Sequence, residues 1–296
     1  MTPRDAIRSA ASALAACDIP DSLYDASQLL SFITGRPALS LRLDSESALP
    51  EEVLTAFHAL CARREKREPL QYIVGTVSFL AHEFRTDPRA LIPRPETELL
   101  AERVIEIVKN LPCRNVLDLC CGTGCIGISV ALACPACAVT LSDLSRDALD
   151  LAEENAALLG ASVTFLQGDL FAPAASRLFD LIVSNPPYIP AEECLHLQAE
   201  VLQEPPMALD GGTDGLDFYR RIALEAPSHL TAGGQLLVEC GDGEADAVSS
   251  LFQKAGLQLT GIYADYQSLP RIVHAQMPDS TERFEANHAG KVSMDC

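Results

Sequence analysis

Residues 183 to 190, VSNPPYIP, set an asparagine, two prolines and a tyrosine directly behind an apolar run. Asn185 offers an acceptor oxygen. Pro186 and Pro187 have fixed φ and no N–H donor, so they stiffen a turn that would otherwise be mobile and leave the Pro186 carbonyl free to accept a hydrogen bond. Two acceptors side by side match the two hydrogens of a planar –NH2 group, and Tyr188 is placed to stack on that group or to close one wall around it. These four residues suit reaction at an amino or amide nitrogen, driven by positioning and electrostatics. An isolated Asn-Pro-Pro-Tyr would be only a turn with a tyrosine capping the core. Its place behind a strand, in the same domain as a second ligand-binding turn, favours the chemical reading.

That second turn lies in NVLDLCCGTGCIG, residues 115 to 127, an apolar strand that runs through glycines into a helix. Ligands of doubly wound sheets sit at the carboxyl ends of strands, and Gly122 and Gly124 would let backbone approach a ligand where a β-carbon would not. Asp118 lies within the strand. Asp143 ends the next strand, in VTLSD, where a carboxylate can accept both hydroxyls of a ribose. The alternative for Asp143 is a helix N-cap, because SDLSRDALDLA opens a helix directly afterwards. Of the eleven cysteines, Cys113, Cys120, Cys121, Cys125, Cys134 and Cys137 cluster around this region and include one C-x-x-C, CPAC. A structural zinc needs four converging ligands, usually two such pairs, and no second pair exists. The cysteines are therefore read as small apolar core residues, and no metal is expected.

The elements that must hold these residues follow from periodicity. Residues 1–72 read as a small all-helical domain. Ala6, Ile7, Ala10, Ala11 and Leu14 recur at helical spacing after Pro3, and Leu23, Ala26, Leu29, Leu30 and Ile33 do so from Ser22, with Gly35 and Pro37 as stops. A third helix starts at Pro50, buries Val53, Leu54, Phe57 and Leu60, and ends before Pro69; the basic run RREKR at 63–67 reads as its solvated end. Residues 73–95 read as a β-hairpin linker. From 96 to 278 short apolar strands alternate with amphipathic helices, which predicts an α/β domain with a doubly wound, mostly parallel sheet. Residues 279–296 form a polar tail, expected to fray.

LDLCCGTG, the acid ending the second strand, Gly168-Asp169 after the third and NPPY after the fourth together resemble the Rossmann-like class I methyltransferases that use S-adenosylmethionine. That resemblance implies a cofactor site formed by Cys120, Cys121, Gly122, Thr123 and Gly124 under the methionine part, Asp143 on the ribose, and Asp169 and Leu170 beside the adenine. Most relatives carry glycine where this chain has Cys120, which makes its loop bulkier. The Asn185–Tyr188 turn resembles the signature of enzymes that methylate planar nitrogens: adenine N6, cytosine N4 or glutamine amide. EPLQYIVG at 68–75, LIPRPETELL at 91–100, NPPYIP at 185–190 and EPPMALDGGTDGLDFYRRI at 204–222 resemble, in order and spacing, the glutamine methyltransferases that modify the Gly-Gly-Gln motif of peptide chain release factors. The likeness spans nearly the whole chain. It implies that Asn185, Pro186 and Tyr188 are catalytic and, with Pro187, bind the substrate amide. Pro206 departs from a commonly basic position, and VECGDGEADAV lacks the usual glutamine.

Composition agrees with a protein substrate. The formal charge of −19 repels a phosphate backbone, and a DNA adenine methyltransferase usually carries a basic surface and a large recognition region for base flipping. A nucleic-acid amino-methyltransferase remains the runner-up. No apolar run has membrane-spanning length, and the cysteines suit reduced thiols. A monomeric, cytoplasmic enzyme with no membrane partner is expected.

Overall fold

The computed structural model describes residues 1–110 and 114–279; Cys113 and nearly all of the expected 279–296 tail lie outside them. The chain forms two compact units, Met1–Thr76 with Thr86–Pro88 and Leu197–Glu204, and Val77–Arg85 with Arg89–His196 and Pro205 onward.

The first unit holds five helices, α1 (Pro3–Ala15), α2 (Ser22–Thr34), α3 (Ala38–Leu43), α4 (Glu51–Arg64) and α5 (Leu70–Val74). Thr2 caps α1 by accepting the Asp5 N–H, and Gly35 ends α2 in the left-handed conformation at φ 67°, as a glycine at this position does without steric cost. Ile7, Leu14, Leu29, Leu30, Leu41 and Phe57 form its core. The expected three helices are thus joined by the short α3 and α5, and α4 stops at Arg64 rather than running to Pro69. The basic run is only in part a solvated helix end: Arg63, Glu65 and Lys66 are exposed, but the other two residues are not. Arg64 is buried, its Nε donating to Asp25 at 2.7 Å and its Nη1 to Glu200 at 2.7 Å, and Arg67 pairs with Glu200 at 2.6 Å. Burial works against the Glu200 charge, but the two guanidiniums outweigh it and hold its carboxyl at about 2.

The second unit opens with a two-stranded hairpin, β1 (Thr76–Phe79) and β2 (His82–Arg85), and continues through α6 (Pro95–Asn110), β3 (Asn115–Leu119), α7 (Cys125–Ala133), β4 (Ala138–Asp143), α8 (Arg146–Leu159), β5 (Val163–Gln167) and β6 (Phe179–Ser184). It ends in α9 (Asp217–His229), β7 (Leu230–Glu239), α10 (Ala245–Lys254), β8 (Gln258–Ala264) and β9 (Pro270–Gln276). Seven strands order as β5-β4-β3-β6-β7-β9-β8, the first five parallel and β9 antiparallel to both neighbours. Val116, Leu181, Val183 and Leu237 bury one face of this sheet, and Leu117, Ile182, Leu236 and Val238 the other. Two buried faces explain why the central strands read as unbroken apolar runs. No helix of the described residues is long and apolar enough to cross a membrane.

Candidate active site

Strand β3 is flanked by β4 and β6, so the sheet order reverses beside it and a crevice opens at the strand ends. Leu119 is in register with Ser142 on one side and Ser184 on the other. The glycine turn after β3, Asp143 at the end of β4 and Asn185 after β6 therefore emerge next to one another. A cavity of about 360 Å³ occupies the crevice, within the range of small-molecule sites. Its wall includes Cys120, Cys121, Gly122, Thr123, Asp143, Asp169, Leu170, Asn185 and Pro187.

The turn is held from below by carboxylates. The Gly127 N–H donates to Asp118 Oδ2 at 2.8 Å, and the Gly122 N–H to Asp143 Oδ2 at 2.9 Å. Asp143 Oδ1 accepts from the Ser145 N–H at 2.9 Å. Ser145, not Asp143, caps α8 by accepting the Ala148 N–H. The helix-cap alternative for Asp143 therefore falls to its neighbour, and the carboxylate stands on the cavity wall. Burial raises the Asp143 pKa against the pull of its backbone donors. Asp118 is fully buried off the wall, with Oδ1 unpartnered; burial pushes it up to about 7 although Gly127 favours its charged form.

Two glycines of the turn serve different needs. Gly122 sits at φ 54° with only the Ala90 Cβ, 4.0 Å away, near where its own β-carbon would project. Gly124, at φ 79°, lies off the cavity wall, and a β-carbon there would come within 2.8 Å of Ile128 and 2.9 Å of Leu141. At Gly124 the missing β-carbon is required by packing against Ile128 and Leu141. Gly124→Ala should lose about 2–5 kcal/mol of stability, from left-handed backbone plus overpacking, whereas Gly122→Ala should lose only about 1 kcal/mol; denaturant unfolding of the two variants measures the difference. Gly122, Gly124 and Gly127 are also spaced as G-x-G-x-x-G, so glycine spacing alone does not distinguish this turn from a dinucleotide site. Cys120 adopts φ 58°, left-handed backbone that suits a glycine better than a residue with a side chain.

At the rim Asp169 pairs with Arg221 at 2.7 Å, both half-exposed. On the opposite side, Asn185 is half-buried and its Nδ2 donates to Thr97 Oγ at 3.1 Å. Pro186 is not on the cavity wall, and neither is Tyr188. Tyr188 packs into a collar of glycines. β-Carbons on Gly211 and Gly215 would come within 2.7 Å of the Tyr188 Cα and 2.4 Å of its carbonyl oxygen, and one on Gly241 within 3.2 Å of its ring. Ile189 donates to Leu209 O and accepts from the Gly211 N–H, both at 2.9 Å. The segment LDGGTDG thereby fixes the backbone of the NPPYIP turn. Burial raises the Tyr188 hydroxyl well above its usual range.

The described residues contain no cluster of His, Cys, Asp or Glu that could hold a metal. Cys121, Cys125 and Cys134 are buried in the core.

Residues 96–201 match the family described as methyltransferase small domain, and residues 5–75 the PrmC N-terminal domain. A release factor glutamine methyltransferase of Geobacter sulfurreducens is 42% identical over 88% of this chain and 91% of its own length; one of Cereibacter sphaeroides is 42% identical over 94% and 99%. Among solved structures, a methyltransferase from Pyrococcus furiosus superposes with a TM-score of 0.51 at 17% identity over 68% of this chain and 91% of its own, and the hMettl16 catalytic domain with 0.53 at 14% over 67% and 76%. At such identities these two likenesses establish the fold alone.

Proposed function

The chain belongs to the family of release factor glutamine methyltransferases, and from that premise we propose that it methylates the side-chain amide nitrogen of the glutamine in the Gly-Gly-Gln motif of peptide chain release factors, with S-adenosylmethionine as donor. The observation that carries the reading is the direction of the Asn185 amide: its –NH2 is tied to Thr97 while the residue lines the cavity beside Gly122 and Asp143.

The residues present suit that cofactor. Gly122 leaves open the space that a β-carbon would fill, and Asp143 keeps lone pairs on both oxygens beyond its two backbone donors. Cys120, Cys121 and Thr123 would line its methionine part, Asp143 its ribose, and Asp169 and Leu170 its adenine. When bound, the cofactor supplies a sulfonium methyl, open to in-line displacement. The Asp143 carboxylate on the cavity wall makes the region favourable to a cation. Asn185 Oδ1 and the Pro186 carbonyl would accept the two amide hydrogens of the substrate, holding its nitrogen so that the lone pair is directed at the methyl. Pro187 stiffens the turn, and Tyr188 supports it from behind. No strong base is required, because the nitrogen sheds its proton to water after the new bond forms.

A planar amide offers little surface for binding. The helical unit supplies a second grip on the release factor, its exposed Tyr24, Phe32, Leu39 and Leu43 offering apolar contact. The reading places the enzyme in the cytosol, acting as a monomer.

Asp143→Ala should remove charge-assisted hydrogen bonds of about 1.5–3 kcal/mol, weakening S-adenosylmethionine binding about tenfold or more with the fold intact. Calorimetric titration measures it, and unchanged affinity would remove Asp143 from the site. The function itself is tested with tritiated S-adenosylmethionine and equal amounts of release factor, RNA and DNA. Label entering the release factor supports the proposal; label entering only nucleic acid refutes it.

A further inference from the structure

Glu239 closes strand β7 and is 2% exposed, yet it is absent from the cavity wall. A carboxylate this deeply buried needs partners. It has two: the side chains of Thr97 and Asn185 hydrogen-bond to it, while its Oε2 finds none. Thr97, also 2% exposed, lies in the first turn of α6 and accepts the Asn185 Nδ2–H. Strand register puts these groups on one side of the sheet. Val183 pairs with Leu237, so Asn185 and Glu239, each two residues further on, share its face.

The hydrogen-bond inventory then leaves one arrangement. Burial pushes the Glu239 carboxyl up to about 7 while the Thr97 and Asn185 hydrogen bonds favour its charged form; in that form it only accepts, so Thr97 gives it its hydroxyl proton and turns its lone pairs to Asn185. Both of those neighbours present acceptors to the Asn185 amide. Its –NH2 must therefore face them, and its oxygen must face the cavity. A free asparagine has no such preference and could equally offer its donors to a substrate oxygen.

We propose that Thr97 and Glu239 are positioning residues that lock the Asn185 amide with its oxygen towards the cavity, and so select a substrate group that donates two hydrogens, a primary amide or amine, over a hydroxyl or carboxylate oxygen. The inference deepens the reading of the site as a glutamine methyltransferase and rests on it.

The test compares Thr97→Val, isosteric but without hydroxyl, with Thr97→Ser, and Glu239→Leu with Glu239→Gln, which keeps one acceptor oxygen. Each is assayed as the full chain for kcat and KM on a purified release factor and for S-adenosylmethionine affinity by calorimetry. Thr97→Val and Glu239→Leu should each lower kcat about tenfold or more while KM and cofactor affinity stay within about twofold. Thr97→Ser and Glu239→Gln should recover kcat to within about threefold of wild type. Because both residues act through Asn185, Thr97→Val should add less than about twofold to the loss already caused by Asn185→Ala. Thermal unfolding identifies variants that do not fold, and the Ser and Gln variants then decide. Equal kcat for Val and Ser, or for Leu and Gln, overturns the proposal, as does a Thr97→Val loss that multiplies fully onto Asn185→Ala. A wild-type protein that labels only nucleic acid overturns the glutamine reading and this inference with it. A wild type that labels the release factor beside an unimpaired Thr97→Val overturns the inference alone.

Discussion

Asn185→Ala is expected to lower the methylation rate at least about a hundredfold while S-adenosylmethionine binds within about twofold of wild type. One oriented polar contact to the reacting group is worth about 10²–10³ in kcat when it is preorganised out of water. Asn185 meets that condition, since its amide is anchored by Thr97 and its turn by Pro186, Pro187 and the glycine collar around Tyr188. The cofactor residues Gly122 and Asp143 follow different strands and do not lean on the Asn185 side chain, so binding should survive. Single-turnover rates with saturating cofactor, set beside calorimetric affinities, separate the two effects. A variant that reacts at the wild-type rate would show that the amide clamp does not operate, and one that loses cofactor affinity in step with rate would make Asn185 a binding residue only.

The second large effect concerns stability. Arg64→Ala should destabilise the helical unit by about 3–5 kcal/mol, because it leaves buried Asp25 without its cation and takes from Glu200 one of its two. Arg64→Lys should fall between, since an ammonium keeps the charge but not the planar fork that reaches Asp25, Glu200 and the Glu68 carbonyl together. Breaking the half-exposed pair Arg220–Asp214 should shift the unfolding midpoint little. Denaturant titration ranks the three variants, and equal midpoints for Arg64→Ala and the Arg220 control would mean the buried cluster contributes nothing. The cluster also bears on truncation. Glu200 belongs to Leu197–Glu204, a segment that lies between the NPPYIP turn and LDGGTDG in sequence and packs with the helical unit. Deleting residues 1–72 would strip both arginines from it, so loss of activity in such a deletion would not by itself report release-factor docking. Changing the exposed Phe32 and Leu39 leaves the cluster in place and is the cleaner probe.

The contrast between these residues shows what the sequence makes legible. Asn185, Asp143 and the Cys120–Gly124 turn could be found because each directly follows an apolar strand, and strand ends are where a doubly wound sheet gathers its ligands. Thr97 could be noticed only as part of PRPETE; its partner Asn185 is 88 residues away, and strand register rather than spacing brings them together. Glu239 reads as a polar residue after an apolar strand, with no local sign that its carboxylate is buried. RREKR looks like a solvated helix end because Asp25 and Glu200, 39 and 136 residues from Arg64, carry no pattern that links them to it. Most of β8 is exposed or half-exposed, so it lacks the apolar run that marks the central strands. At Gly124 the sequence shows a glycine's conformational freedom but not which side chains its missing β-carbon makes room for.

Locating the methyl group tests the central claim most directly. A release factor incubated with the wild-type protein and S-adenosylmethionine, digested and sequenced by tandem mass spectrometry, should carry one added methyl on the side-chain nitrogen of the glutamine in Gly-Gly-Gln, and the same peptide from an Asn185→Ala reaction should carry almost none. A methyl found on another residue, or an unmodified release factor beside methylated adenine or cytosine in added nucleic acid, would contradict the account.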